Sequence, residues 1–290
     1  MTTHLILGAS GFLGEALMAR VGRPGDRLVG TGRDHLSGPL RPLELRDPAA
    51  VLALLKDVNP DLVYLTAAYR DPDFCEDYPE ETRRLNVEPV RLLVGQLPAR
   101  AQLVFFSTDY VFEGQNPPYR EESPCHPVNE YGRSKMEAEQ AALARPDSLV
   151  VRIPVLVGAE PAYRGASGFI HQMARDLAAG QPTDVDDVLV RVPTWTHDIA
   201  AAVRFLCDRK AAGIFHVSSA RGKTRYGWTV ELAGLLNLPH EHLRPSRQII
   251  ARKATRPVNA QLATDKLRAL GFDQFTDFRD VMRVVLDGCR

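Results

Sequence analysis

Apolar residues fall into short continuous runs and into helix-spaced stripes that alternate along the first half of the chain. Residues 5–7, 27–30, 62–65, 103–106 and 149–153 are brief apolar runs bounded by turn residues, the pattern of strands buried on both faces. Between them, 15–21, 49–58, 80–96 and 134–144 carry apolar positions at helical spacing. This alternation is that of βαβ units, whose right-handed crossovers lay helices on both faces of a parallel sheet. The first half is therefore expected to be α/β, with a doubly wound parallel sheet. After Gly158 the rhythm loosens into a polar stretch, 160–168, followed by a helix around 169–179 and a strand-like 188–192. Residues 213–217 read as one more sheet strand, and 229–236 and 277–286 as helices of a smaller, later region.

Composition narrows the picture without changing it. The 290 residues, 44% hydrophobic, suffice for one large or two modest domains. Thirty-six basic residues balance thirty-six acidic ones, so no global field draws nucleic acid or an anionic membrane, and any phosphate site must be local. No apolar run approaches the ~18 residues of a membrane span, and the N-terminal run is too short for a signal peptide. Cys75, Cys125, Cys207 and Cys289 are scattered without a Cys-x-x-Cys pair. That argues against a disulfide framework and for a cytoplasmic setting. Oligomeric state is not encoded legibly, although a homodimer is the commonest closed assembly.

Gly8-Ala9-Ser10-Gly11-Phe12-Leu13-Gly14 follows the first strand and opens the first helix, the context that a dinucleotide-binding turn requires. Its glycines permit a tight turn and close approach of backbone to a pyrophosphate, while the helix N-terminus favours the negative charge. The α/β class thereby becomes Rossmann-like. A dinucleotide-binding domain is expected over 1–158, with later returns near 188–217. A smaller C-terminal substrate-binding region would comprise 159–187 and 218–290. At the end of the second strand, Gly30-Thr31-Gly32-Arg33 offers a cation where an NAD-binding protein usually offers a carboxylate, so NADP(H) is preferred and NAD(H) left open. Asp34, beside Arg33, blunts the preference.

A second constellation carries chemistry. Thr108 closes the apolar run 103–106 and is delivered to the carboxyl edge of a strand, where open α/β sheets bind ligands. Tyr131 and Lys135 stand four residues apart, about one helical turn, so both project from one face. A phenol titrates near pH ~10, and a neighbouring ammonium lowers that value toward useful proton exchange. Together the hydroxyl, phenol and ammonium can protonate a carbonyl oxygen. The Tyr-x-x-x-Lys pair alone arises by chance about 0.2 times in a chain of this composition, so its weight comes from the glycine turn and the ordered strands.

With these motifs in this order, the chain resembles the extended short-chain dehydrogenase/reductases over almost its whole length. Ser107-Thr108-Asp109-Tyr110-Val111-Phe112-Glu113-Gly114, Asn116-Pro117-Pro118-Tyr119-Arg120-Glu121-Glu122 and Pro127-Val128-Asn129-Glu130-Tyr131-Gly132 look like those of dTDP-4-dehydrorhamnose reductases. They also look like the regulatory beta subunit of methionine adenosyltransferase. Arg256-Pro257-Val258-Asn259-Ala260-Gln261-Leu262, with Lys266-Leu267 and Leu270-Gly271-Phe272, matches both groups. The resemblance implies Tyr131 as the acid, Lys135 as its activator and ribose contact, and Thr108 as the hydroxyl that orients a sugar ketone. It further implies that Glu44 and Leu45 contact adenine, and that Thr66, Ala67, Ala68 and Arg70, with Tyr69, line the cofactor. Asn86 matches the superfamily's helix asparagine. Asp109 and Arg256 are expected on the substrate side. Arg256 is read either as a fork for a nucleotide-sugar diphosphate or as a surface salt bridge. Two positions depart from the reductase pattern, Val155 where a Trp is usual and Gly168 where an Asn often precedes Phe169.

The expected function is an NAD(P)H-dependent reductase of a nucleotide-activated 4-keto-6-deoxysugar. The alternative is a non-catalytic regulatory subunit whose partner is a methionine adenosyltransferase. Neither His240-Glu241-His242 nor Cys125-His126 has metal-ligand spacing, so no metal site is expected. Arg221-Gly222-Lys223-Thr224 lacks the first glycine of a phosphate loop, and no Gly-x-Ser-x-Gly elbow is present.

Overall fold

A computed structural model describes residues 1–33, 38–158, 168–249 and 251–287. Asp34, Cys289 and the polar stretch 160–167 lie outside the described residues. The first half runs β1 (Thr3–Leu7), α1 (Phe12–Arg20), β2 (Arg27–Gly32), β3 (Arg41–Pro42), α2 (Pro48–Val58) and β4 (Leu62–Leu65). It continues through α3 (Pro72–Asp77), α4 (Pro79–Asn86), α5 (Glu88–Gln96), β5 (Gln102–Thr108), α6 (Glu130–Leu143) and β6 (Leu149–Ile153). Next come β7 (Leu156–Val157), α7 (Phe169–Ala178), β8 (Thr183–Asp186), β9 (Val190–Arg191), β10 (Thr194–Trp195), α8 (Thr196–Asp208) and β11 (Gly213–His216). The chain ends with β12 (Lys223–Thr224), α9 (Arg225–Leu236), β13 (Leu243–Ser246), α10 (Asp265–Ala269) and α11 (Phe278–Asp287).

Seven strands form one sheet in the order β3-β2-β1-β4-β5-β6-β11, each pair parallel. This is the doubly wound sheet expected from the sequence. Period-two alternation divides each buried strand between two cores. Leu5, Leu7, Val63, Leu65, Leu103 and Phe105 face α2, α5 and α6, meeting Val51, Leu55, Val90, Leu93 and Ala138. Ile6, Tyr64, Val104 and Phe106 face the other way, against Leu17 of α1 and Ile199, Val203 and Leu206 of α8. Because both faces are covered, the strands read as continuous apolar runs. Chain order reverses between β1 and β4, and ligands bind outside the strand ends at such a switch point.

Several elements differ from the sequence reading. The helix expected over 80–96 breaks at Val87, because Pro89 in the first turn of α5 has no N–H and would clash with the carbonyl of Leu85 in a continuous helix. The stretch 188–192 forms only the two-residue β9, paired antiparallel with β12. Helices α3 and α8 went unpredicted, although Asp71-Pro72 caps the first, with the Asp71 carboxylate accepting from Asp73 N at 3.0 Å. A third apolar cluster, including Met173, Leu177, Trp228, Leu232 and Met282, joins α7, α9 and α11 beside the sheet.

Candidate active site

The chain leaves β1 through Gly8 at φ +95°, and Gly11 then caps α1 without a side-chain hydrogen bond. A Cβ on Gly8 would lie 2.7 Å from Thr66 Oγ1, and one on Gly14 only 2.2 Å from the Gly8 carbonyl oxygen. The turn therefore excludes any larger residue, and the positive end of α1 faces the cleft.

That cleft has a volume of about 820 Å³ and gathers every site residue proposed from the sequence. Gly8, Ser10, Gly11, Phe12, Leu13 and Gly14 line one wall with Arg33, Glu44, Leu45, Thr66, Ala67, Ala68 and Arg70. Thr108, Asp109, Tyr131, Lys135 and Arg256 line the rest. Val155 and Gly168, where the sequence departs from the reductase pattern, also face this space, as does Phe169. Arg191, Arg225, Arg252, His171 and Asp186 join them. Sequence reading missed these five, because only tertiary folding of α7, β8, β9, α9 and the segment between β13 and α10 brings them to the cleft. Among the described lining residues, seven cations (Arg33, Arg70, Lys135, Arg191, Arg225, Arg252 and Arg256) face three carboxylates (Glu44, Asp109 and Asp186). A neutral chain thus concentrates positive charge where an anion would bind.

Helix α6 places Tyr131 and Lys135. Asn129 caps it by accepting from Gly132 N at 2.8 Å, while its Nδ2 donates to the Thr255 carbonyl at 2.7 Å. Gly132 packs so closely on the turn after β5 that a Cβ would fall 2.2 Å from Tyr110 O. This contact fixes the start of α6, and with it Tyr131, against the turn that follows Thr108. Thr108 donates to Asp109 Oδ1 at 3.2 Å and accepts from Tyr110 N at 3.2 Å. Lys135 is 4% exposed, with Nζ 4.2 Å from the centre of the Phe105 ring.

Electrostatics here differ from the simple spacing argument. Burial lowers Lys135 to about 7, opposed by the charge of Glu139. Burial also raises the Tyr131 phenol above its ordinary value, opposed by the Thr108 hydroxyl beside it and reinforced by the Asp109 carboxylate. Lys135 is not among the groups that shift it, so the lowering expected from the spacing does not appear and the phenol stays protonated at neutral pH. Asp109 is pushed up to about 6 by burial, against the pull of Arg191.

Other predicted residues have structural partners. Asn86 accepts from Tyr69 N at 2.8 Å and donates to Tyr69 O and Ser134 Oγ, both at 3.0 Å. Ser134 in turn donates to the Tyr131 carbonyl at 2.8 Å, so Asn86 ties the loop after β4 to α6. Glu44 is clasped by Arg46 and lowered to about 2. Arg256, only 7% exposed, donates through both terminal nitrogens to Asp73 at 2.9 Å and to Ala254 O at 2.7 Å. Its fork is engaged within the protein by Asp73, a carboxylate that is itself 38% exposed.

The residues fit a dinucleotide. Ser107 Oγ lines the cleft, 3% exposed, with no hydrogen-bond partner among the described residues. Such an orphaned polar atom beside a glycine turn and a surplus of cations suits a bound ribose or phosphate.

A family model, the RmlD substrate binding domain, matches residues 2–290. The chain belongs to this family. Methionine adenosyltransferase 2 subunit beta of Xenopus tropicalis is 35% identical over 283 residues, covering 95% of this chain and 84% of the relative. A probable dTDP-4,6-dihydroxy-2-methyloxan-3-one 4-ketoreductase of Streptomyces antibioticus is 34% identical over 285 residues, covering 96% and 92%. The crystal structure of a hypothetical dTDP-4-dehydrorhamnose reductase from Sulfolobus tokodaii superposes with a TM-score of 0.86 at 28% identity, covering 97% of this chain and 99% of that one. The chain is thus similar both to reductases and to beta subunits, as the sequence motifs indicated.

Proposed function

We propose that the protein is a nicotinamide-dependent reductase of a nucleotide-activated 4-keto-6-deoxysugar, with NADP(H) preferred and NAD(H) accepted. The observation that carries this reading is the convergence of Thr108, Tyr131 and Lys135 opposite the Gly8–Gly14 turn, in one cation-rich cleft. The turn and α1 would hold the pyrophosphate, Arg33 a 2′-phosphate, and Ser107 and Lys135 the nicotinamide half. When bound, the nicotinamide supplies the hydride. Tyr131, kept protonated by burial, gives its proton to the carbonyl oxygen. Arg191, Arg225 and Arg252 add positive charge to the sugar-nucleotide side. The beta-subunit relatives and Val155 at the cleft favour a second reading, a cofactor-binding regulatory subunit of a methionine adenosyltransferase.

The test is NADPH oxidation with dTDP-linked 4-keto sugars, run beside a pull-down with a methionine adenosyltransferase. Wild type consumes NADPH, and Tyr131→Phe loses turnover while cofactor still raises its melting temperature. Unchanged turnover in Tyr131→Phe would remove the proton-donor role. No NADPH consumption together with capture of the transferase would establish the second reading.

A further inference from the structure

We propose that Asp73 is a positioning residue for substrate binding: by holding the strap 252–256 beside the cleft, it presents the Arg252 guanidinium to the diphosphate of the nucleotide sugar. This deepens the reductase reading above and rests on it. Asp73 stands in the first turn of α3 and does not itself line the cleft. Its carboxylate accepts three hydrogen bonds from the strap: Ala254 N to Oδ1 at 2.8 Å, and Arg256 Nη1 and Nη2 to Oδ1 and Oδ2, each at 2.9 Å. Arg256 also donates to Ala254 O at 2.7 Å, which closes a ring of bonds around the strap backbone. Ala254 N is the first backbone N–H after β13 to find a partner among the described residues, so Asp73 carries the anchor nearest Arg252. Around it, Lys253 pairs with Asp77, and Asn129 Nδ2 holds Thr255 O at 2.7 Å.

Four described arginines reach the cleft from β9 onward, and three of them are committed within the protein. Arg256 is bound to Asp73, Arg225 to Asp176, and Arg191 donates to Val190 O at 2.7 Å and to Pro257 O at 3.2 Å. Arg252 is exposed, lines the same space and hydrogen-bonds to none of the described residues. Of the four, its fork is the one that can close on a phosphate through two parallel hydrogen bonds. A ligand that had to order the strap before meeting this guanidinium would bind more weakly. Asp73 orders the strap beforehand, which lowers the entropic cost of capture. Arg256, expected from its motif to meet the diphosphate itself, thus acts one step removed.

The test is calorimetric titration of the full chain with dTDP, with dTMP as the control that lacks the second phosphate. Arg252→Gln is expected to weaken dTDP binding by about 10-fold or more, the worth of one charge-assisted hydrogen bond, and dTMP binding less. Asp73→Asn sets an amide donor against the donors of the strap and weakens dTDP by about 10-fold as well. In the Arg252→Gln background Asp73→Asn brings no further loss, a coupling that general damage to the fold would not give. Arg256→Lys, which keeps the charge but not the fork, gives an intermediate loss and carries the test where Asp73→Asn does not fold. With 4-keto nucleotide sugars these losses fall on KM and not on kcat. A wild type that binds dTDP, with Asp73→Asn and Arg256→Lys binding it as tightly or with losses that add in full to that of Arg252→Gln, overturns the positioning role alone. A wild type that binds neither dTDP nor UDP overturns the nucleotide-sugar reading beneath it.

Discussion

Glu139→Ala tests what holds α6 to the sheet. Glu139 of α6 and Arg152 of β6 are 4% and 3% exposed and joined by two hydrogen bonds, Nε to Oε1 at 2.9 Å and Nη2 to Oε2 at 2.8 Å. The remaining partners of Arg152 are neutral: Glu121 O at 3.2 Å, Cys125 Sγ at 3.2 Å, His216 Nε2 at 3.4 Å and the Phe112 ring at 5.0 Å. Truncating Glu139 thus leaves a buried guanidinium without its hydrogen-bonded counter-charge, only the more distant Glu121 carboxylate remaining, a loss of about 3–5 kcal/mol. Unfolding entropy of about 2.1 cal/mol/K per residue gives this chain ~0.6 kcal/mol/K, so the melting temperature falls by about 5–8 °C. Calorimetry measures the drop. The double variant Glu139→Leu/Arg152→Met, which removes both charges, recovers most of it. A single-variant loss below about 1 kcal/mol, or a double variant as unstable as the single, would refute the claim that an unpaired charge sets the cost.

His216, fully buried, is lowered from 6.5 to about 3 by burial and by Arg152, so the folded state binds fewer protons than the unfolded chain. Its stability is complete above the unfolded value and is lost as pH falls toward about 3, at ~1.4 kcal/mol per pH unit. Denaturant titrations of His216→Gln therefore show a shallower slope than wild type between pH ~6.5 and ~4.5, before carboxylates titrate; parallel curves would dismiss it. Gly14→Ala forces a Cβ against the Gly8 carbonyl, so about 1–3 kcal/mol of stability and the NADPH-induced rise in melting temperature are lost together. A variant stabilised by cofactor as fully as wild type would show the turn to be tolerant.

Much of this was legible because it is local or periodic. The parallel strands betrayed themselves as continuous apolar runs, and the Gly8–Gly14 turn needed only its place between strand and helix. Tyr131 and Lys135 were found because one helical turn separates them. What escaped depends on contacts between distant segments. Arg191, Arg225 and Arg252 have no local signature, and Arg256 meets an Asp73 that lies 183 residues earlier. The upward shift of Tyr131 was hidden for the same reason, since spacing shows the ammonium but not the desolvation that raises the phenol. Helix α8 is different: Ile199, Ala202, Val203 and Leu206 carry helical spacing in plain view.

The way the sheet is completed has a consequence for synthesis. One face of the N-terminal strands is closed by Ile199, Val203 and Leu206, and then by Leu267 and Phe272, while β11 covers the β6 edge. A chain emerging from the ribosome therefore carries a bare apolar face and an unpaired strand edge until residues beyond 216 are available. Nascent or prematurely terminated chains shorter than this are clients for chaperones and proteases, and the nucleotide turn made first must wait for residues made last.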